Sequence, residues 1–347
     1  MKLMLLRLFN RLKRSFVIPF YHNRAVKFLL YAYYKIIARY FPAVVFLFDS
    51  TMMIALNYNC QCKCAHCYAS YRKDDSKQEL TREEIIRVID EAVSMGVSEI
   101  HFLGGEPLLA GHIFDIISYA REKGMITRID TNGFLLNEEN VSRLKKSGID
   151  FVGVSIDSAS GDIHDGLRGV NGLFEKAVQG ISHCRDRNIE AYISTYAVKK
   201  SLQDGSLDRL IALAGELGVC LRVLSPIRSG RFTQRDDVML GEKEMKLLRQ
   251  KLKHNKVFWE IKYIDDENIP FLCSAFKRMW FYVSAYGDVQ PCCFMPVPFG
   301  NVRQEPLPAI LKRMWDSEMI KKRKEWNECP LNDKKFREEY AHLFKGA

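Results

Sequence analysis

The chain has 347 residues, of which 47% are apolar and 27% charged, values that fit a folded protein with a sizeable core and exclude a disordered one. The net charge is +10, but residues 1–50 hold nine Lys or Arg against Asp49 alone, leaving only about +2 for the rest. The body is therefore near neutral, and nucleic acid is not an expected partner.

Residues 1–50 read as a basic arm of helical character. Leu5, Leu8, Leu12 and Phe16 recur at helical spacing, Arg7, Arg11 and Arg14 form their own row, and residues 28–48 are rich in Tyr, Phe, Leu and Val. Lys35 and Arg39 interrupt the apolar stretch, so no spanning helix is expected. Two readings stay open: peripheral contact with the inner membrane face, or packing on the chain's own domain or a partner. The basic start has no clean apolar core and small-residue cleavage site after it, so the ten cysteines are read in a reducing cytoplasm. There metal or redox chemistry outranks disulfides.

From about 52 to 224 strand and helix alternate. The expected strands are Met52–Asn57, Ser98–Leu103, Met125–Asp130, Phe151–Ile156, Ala191–Val198 and Val219–Leu224. The expected helices run from Thr81 (a capping box with Glu84) to Ser94, then Ile113–Glu122, Asn137–Lys146 closed by Gly148, Leu173–Arg187 and Leu207–Leu217. Six such units predict an α/β fold, an open partial (βα)6 TIM-like barrel with active groups at the C-terminal ends of its strands. Ser225–Val238 reads as a linker, Glu242–Lys253 as a helix, and Met279–Ala285 with Val289–Cys292 as a hairpin around Tyr286-Gly287-Asp288. A charged helix is expected over Leu307–Glu325. The expected divisions are 1–50 arm, 51–225 core domain, 226–265 linker and helix, and 266–347 a small C-terminal extension.

The strongest signal follows the first strand: Cys60-Gln61-Cys62-Lys63-Cys64-Ala65-His66-Cys67-Tyr68. Cys60, Cys64 and Cys67 stand in C-x3-C-x2-C spacing, so one loop can offer three thiolates to a [4Fe–4S] cube and leave the fourth iron open. Zinc is the alternative, although a structural zinc site would want a closed set of four ligands. Cys62 lies outside the triad and is read as a bystander. Gly104-Gly105-Glu106-Pro107 follows the second strand, Thr131-Asn132-Gly133 the third, and Val154-Ser155-Ile156-Asp157 ends the fourth.

With His164-Asp165, Arg168-Gly169 and Gly172-Leu173-Phe174, this set resembles the radical S-adenosylmethionine (SAM) superfamily, in its subgroup with a SPASM or twitch extension. The likeness covers about residues 52–224 well and the region after 270 in part. It implies an oxidoreductase in which SAM chelates the open iron, receives one electron and yields methionine and a 5′-deoxyadenosyl radical. Gly104, Gly105 and Glu106 would bind the methionyl amino group. Asn132, Ser155, Asp157, Arg168 and Tyr68 complete the implied SAM site. An external flavodoxin- or ferredoxin-like reductant is the expected partner.

Cys273, Gly287 and Cys292 resemble the opening of the SPASM pattern, and only Cys293 and Cys329 lie beyond. Two auxiliary clusters would need eight thiolates, so one is expected, on Cys273, Cys292, Cys329 and Cys293. Cys184 and Cys220 are expected in the core. The implied substrate is a peptide or protein; the basic arm raises the alternative of a membrane-associated lipid, quinone or tetrapyrrole. A non-catalytic iron–sulfur or zinc protein would leave Gly104–Pro107 and the strand-end polar groups without a purpose. Tyr282 and Tyr286 are candidates for a general acid or base by location alone.

Overall fold

The computed structural model describes residues 2–14, 50–252, 257–259, 273–321 and 329–344. Nine strands form one sheet: β1 Thr51–Ala55, β2 Glu99–Leu103, β3 Ile126–Thr131, β4 Phe151–Ser155, β5 Glu190–Tyr196, β6 Cys220–Leu224, β7 Val257–Trp259, β8 Trp280–Val283 and β9 Val289–Gln290. Their order is β7-β6-β5-β4-β3-β2-β1-β8-β9. The helices, in chain order, are α1 Lys2–Leu12, α2 Arg82–Met95, α3 Ile113–Glu122, α4 Glu138–Ser147, α5 Gly161–Arg168, α6 Leu173–Asp186, α7 Lys199–Gln203, α8 Ser206–Glu216, α9 Glu242–Leu252, α10 Leu307–Asp316, α11 Glu318–Lys321 and α12 Lys334–Glu339.

Strands β1 to β7 pair in parallel, as right-handed βα repeats require. β1 and β2 are buried along their whole length, the mark of strands covered on both faces. Ile54, Ile100, Phe102, Val152, Ile193 and Leu221 are almost wholly removed from water, each contributing roughly 1.5–3 kcal/mol. The expected caps are present. Thr81 and Glu84 exchange bonds of 3.2 and 2.8 Å, Asn137 accepts from the Asn140 amide at 2.9 Å, and Gly148 closes its helix at φ 80°.

The barrel is open, as six units imply, but the sheet runs past them at both edges. β7 lies inside the stretch read as linker and helix. α5 falls in a segment to which the sequence assigned no element, and which holds two glycines, Gly161 and Gly166. The C-terminal hairpin does not stand apart: β8 pairs in parallel with β1, and β9 antiparallel with β8. Its strands are shorter than expected because the turn spans Ser284–Asp288, with the Ser284 amide donating to the Asp288 carbonyl at 2.8 Å. The last charged helix is broken at Ser317, whose backbone is extended and whose hydroxyl bonds the Met314 carbonyl. Residues 322–325 of that expected helix lie outside the described residues.

The N-terminal arm is helical where it is described, and it docks by its polar side. Asn10, fully buried, donates to the carbonyls of Ser98 and Gly124 at 2.9 Å each. Arg14 pairs with Asp150 at 2.8 Å, and Arg7 reaches the Glu122 carbonyl. These groups stand at the N-terminal ends of β2, β3 and β4, so α1 covers the end of the barrel opposite the strand tips. Leu8 and Leu12 face outward, 53% and 47% exposed. The remainder of the arm, 15–49, lies outside the described residues. No helix among the described residues is long and apolar enough to cross a membrane.

Replacing Asn10 by Ala removes the arm's donor from two buried carbonyls, of which that of Ser98 keeps the Ile126 amide at 3.0 Å. A loss of about 1–3 kcal/mol is expected, read as a lower denaturant midpoint at unchanged slope. An unchanged midpoint would show that α1 does not hold the barrel floor.

Candidate active site

The tips of β1 and β2 are joined by backbone. The Gly105 amide donates to the Asn57 carbonyl at 2.9 Å, the Glu106 amide to the Asn59 carbonyl at 2.7 Å, and the Asn57 amide nitrogen Nδ2 to the Glu106 carbonyl at 3.0 Å. The approach is too close for side chains. A Cβ on Gly104 (φ +141°) would lie 2.3 Å from the Asn57 oxygen, and one on Gly105 2.2 Å from the Asn59 oxygen. The glycines therefore first admit the cysteine loop's own backbone, a reason sequence reading placed on the ligand side.

That loop is held from two more directions. The Lys63 and Ala65 amides donate to the Arg168 and Leu167 carbonyls at the end of α5, each at 2.9 Å. The linker then straps the loop: the Arg231 amide donates to the Cys67 carbonyl at 3.1 Å, and its guanidinium to the Lys63 and Cys64 carbonyls. Gly230 permits the strap, with φ +56° and room for no Cβ beside the Cys67 oxygen, 2.3 Å away.

Cys60, Cys64 and Cys67 open into one cavity of about 360 Å³. Tyr68, Gly104, Gly105, Asn132, Ser155, Asp157 and Arg168 line the same space. Asp157 accepts from Arg168 Nε at 2.7 Å and lies 3.5 Å from His66 Nε2. Burial would raise its carboxyl, but the Arg168 guanidinium holds it down at about 2. Burial drives His66 and His164 down to about 4, so both are neutral. Arg168 Nη1 also reaches Cys64 Sγ at 3.7 Å, and Asn132 Nδ2 reaches Cys60 Sγ at 3.7 Å. Cys62 stands against the triad. Its amide donates to Cys60 Sγ at 3.4 Å, and its thiol bears on those of Cys60 and Cys64 as a hydrogen-bonding neighbour. That bond, opposed by burial and aided by Arg168, brings Cys64 down to about 6.

Glu106 stands behind the wall, fully buried. Its carboxylate accepts from the Leu108 amide, the Thr131 hydroxyl and the Asn132 amide at 3.1, 2.8 and 2.9 Å. Burial pushes this carboxyl up to about 7 against those donors. Tyr282 and Tyr286 are turned elsewhere. Tyr282 is buried with its hydroxyl 2.8 Å from that of Tyr58, and the Tyr286 hydroxyl is engaged by the Asp74 backbone. Neither lines the cavity.

Sequence reading missed the groups beneath. His101 of β2, Asp130 of β3, Ser194 of β5 and Arg222 of β6 all point into the barrel and line the cavity. Asp130 lies 3.0 Å from His101 Nε2 and 2.5 Å from Arg222 Nη2, and Tyr192 donates to it at 2.9 Å. Their one sequence signal is a polar residue inside an apolar strand.

The donor set suits an iron–sulfur cube. Three thiols on one loop face a shared space, all ten cysteines are outside disulfides, and cations flank the sulfurs. No three His, Cys, Asp or Glu side chains among the described residues gather as closely as a single ion needs. A cube spreads its ligands over separate corners and does not require that convergence.

The C-terminal cysteines divide. The Cys273 charge reaches Cys292, and burial raises both thiols, Cys292 to about 12. Cys293, one residue on in the turn, lines the main cavity with Phe294. Cys329 packs at the margin of the main core and begins the turn whose Asn332 bonds the Pro226 carbonyl and the Arg228 amide. Cys184 and Cys220 are core residues, as expected.

Residues 54–214 match the radical SAM superfamily and residues 273–337 match SPASM, an iron–sulfur cluster-binding domain. The chain belongs to the radical SAM superfamily and is an enzyme of that class, with a [4Fe–4S] cluster, SAM and an auxiliary iron–sulfur cluster as its cofactors. It is 29% identical over 288 residues to an AdoMet-dependent heme synthase of Methanosarcina barkeri, covering 76% of this chain and 80% of that one. It is 30% identical to a GTP 3′,8-cyclase of Clostridium perfringens (68% and 73% covered) and 24% to a PqqA peptide cyclase of Granulibacter bethesdensis (70% and 67%). Its fold is similar to that of Streptococcus suis SuiB bound to SAM, with a TM-score of 0.62 at 18% identity, covering 78% of this chain and 66% of SuiB.

Gly230→Ala tests the strap. The variant is expected to lose iron to a chelator several-fold faster than the parent after anaerobic reconstitution; equal rates would show that the linker does not secure the loop.

Proposed function

We propose that the cavity above β1–β6 is where SAM is cleaved, with Cys60, Cys64 and Cys67 as the three cluster ligands. The observation that carries this is the convergence of that loop with Tyr68, Gly104, Gly105, Asn132, Ser155, Asp157 and Arg168 around one space. A [4Fe–4S] cluster held there by Cys60, Cys64 and Cys67 would supply the electron, taken from an external flavodoxin- or ferredoxin-like reductant, that splits SAM to methionine and a hydrogen-abstracting 5′-deoxyadenosyl radical. The protein's own work is to orient and to exclude water. Arg168, fixed by Asp157, presents a guanidinium beside Cys64 for the SAM carboxylate. Glu106, behind the Asn132 wall, has about one acceptor position left after its three donors; that position suits an ammonium, which reaches it by displacing part of that wall. Cys273 and Cys292 are the core of the auxiliary site, with Cys329 as a further ligand; Cys293 faces the reaction space instead.

The substrate that the observations favour is an anionic tetrapyrrole. Lys63 and Arg231 line the cavity with no acidic partner among the described residues, while Arg168 and Arg222 have Asp157 and Asp130. A tetrapyrrole's carboxylate side chains meet that lining, and the likeness to heme synthases extends over three quarters of the chain. The likeness to PqqA peptide cyclase supports a peptide as the second reading.

Anaerobic, dithionite-reduced protein is expected to form 5′-deoxyadenosine, and a Cys60/Cys64/Cys67→Ala variant none. An iron tetrapyrrole bearing propionates should raise that rate where a peptide does not; the reverse result would hand the substrate to the second reading. No cleavage by the reduced parent would remove the catalytic reading of the cavity.

Because Glu106 titrates near 7 and only its charged form attracts an ammonium, SAM affinity should rise with pH through that value. Glu106→Gln should weaken binding by about tenfold, the loss of one charge-assisted hydrogen bond, and flatten the profile. A Gln variant with the parent's pH profile would clear Glu106 of that role.

A further inference from the structure

Arg72 lies four residues past Tyr68 and is only 9% exposed. Its Nη1 donates to Gln290 Oε1 at 2.9 Å and its Nη2 to the Cys293 carbonyl at 2.7 Å. The guanidinium carbon sits 5.3 Å from the Tyr282 ring centre and 5.5 Å from that of Tyr71. Its Nε has no hydrogen-bond partner among the described residues. None of the ion pairs among the described residues includes it, so every partner it has there is neutral. A buried cation met only by carbonyls and ring faces is costly, and it calls for an anion.

That anion is not the substrate or SAM, because Arg72 does not line the cavity. The groups beside it that can become anionic belong to the C-terminal turn. Arg72 holds the peptide bond from Cys293 to Phe294 by the Cys293 oxygen, one residue past Cys292, and its charge favours the ionised Cys292 thiol. The cation that acts on Cys67 is a different one, Arg231. An iron–sulfur cluster with thiolate ligands is net negative and gains one further negative charge on reduction.

We propose that Arg72 is the buried counter-cation of the iron–sulfur cluster anchored at Cys292, and that it raises that cluster's reduction potential. The proposal rests on Cys273 and Cys292 holding the auxiliary cluster. A fixed positive charge stabilises the reduced, more negative state over the oxidised one, so the cluster accepts an electron more readily with Arg72 than without. Arg72 acts through the cluster's charge and is a positioning residue; it touches neither substrate nor SAM.

The test uses the full chain, reconstituted anaerobically, in a Cys60/Cys64/Cys67→Ala background so that the auxiliary cluster stands alone. Iron is counted, and the cluster is titrated against potential by electron paramagnetic resonance. Arg72→Gln should shift the midpoint to more negative values, and Arg72→Lys should restore most of it. Gln290→Glu provides a second route, since it leaves Arg72 in place and sets a carboxylate against Nη1; its midpoint should also fall. Should Arg72→Gln not fold, the fall in Gln290→Glu alone supports the proposal. An unchanged midpoint in Gln290→Glu, or in a folded Arg72→Gln, overturns it. A background protein that binds no iron overturns it as well, and places the failure in the ligand reading of Cys273 and Cys292 rather than in Arg72.

Discussion

The cysteine loop is clamped by main-chain hydrogen bonds from three sides, and the geometry of the site depends on that clamp. The β2 tip holds it through Asn57 and Asn59, the end of α5 through Lys63 and Ala65, and the linker through Cys67. Backbone bonds leave the thiols free for other work. They also set the loop's position by strands and a helix that are themselves buried, which gives a site the rigidity that loop side chains alone do not. The cost is steric: glycine is demanded where the backbones come closest, at Gly104, Gly105 and Gly230.

The same economy of backbone pairing brings the C-terminal segment to the site. Because β8 joins the free edge of β1, the hairpin that follows is delivered beside the cysteine loop rather than beyond the barrel rim. Its turn then sends Cys292 and Cys293 to different sides, one beside Cys273 and the other into the main cavity. The two cysteine sets thus share a wall built from Tyr58, Tyr68, Tyr282 and Tyr286, with Arg72 inside it. Along the barrel interior, charge is balanced locally: Asp157 with Arg168, and Asp130 with Arg222 and His101. Each carboxylate so placed fixes a cation's direction in a space where an unpaired charge would be expensive.

Much of the barrel was legible in the chain. Thr81 with Glu84, Asn137 and Gly148 mark helix ends by local hydrogen bonding and backbone freedom, so their meaning does not depend on distant residues. The C-x3-C-x2-C triad was legible for the same reason: its ligands are neighbours on one loop. α5 was missed because its two glycines weaken the helix signal, and β7 because three residues are too few to show a period.

What the sequence determined by itself was local: the elements, their caps, the alternation that makes a parallel sheet, and a loop able to offer three thiolates. The tertiary structure decided which remote groups meet. It placed His101, Asp130, Ser194 and Arg222 on one barrel interior, brought Arg231 across to the cysteine loop, turned Asn10 and Arg14 of the arm inward and Leu8 and Leu12 out, and set Arg72 beside Cys293. Propensity and periodicity act over a few residues, whereas these contacts join segments up to more than two hundred residues apart, and only the closing of the sheet fixes their distances.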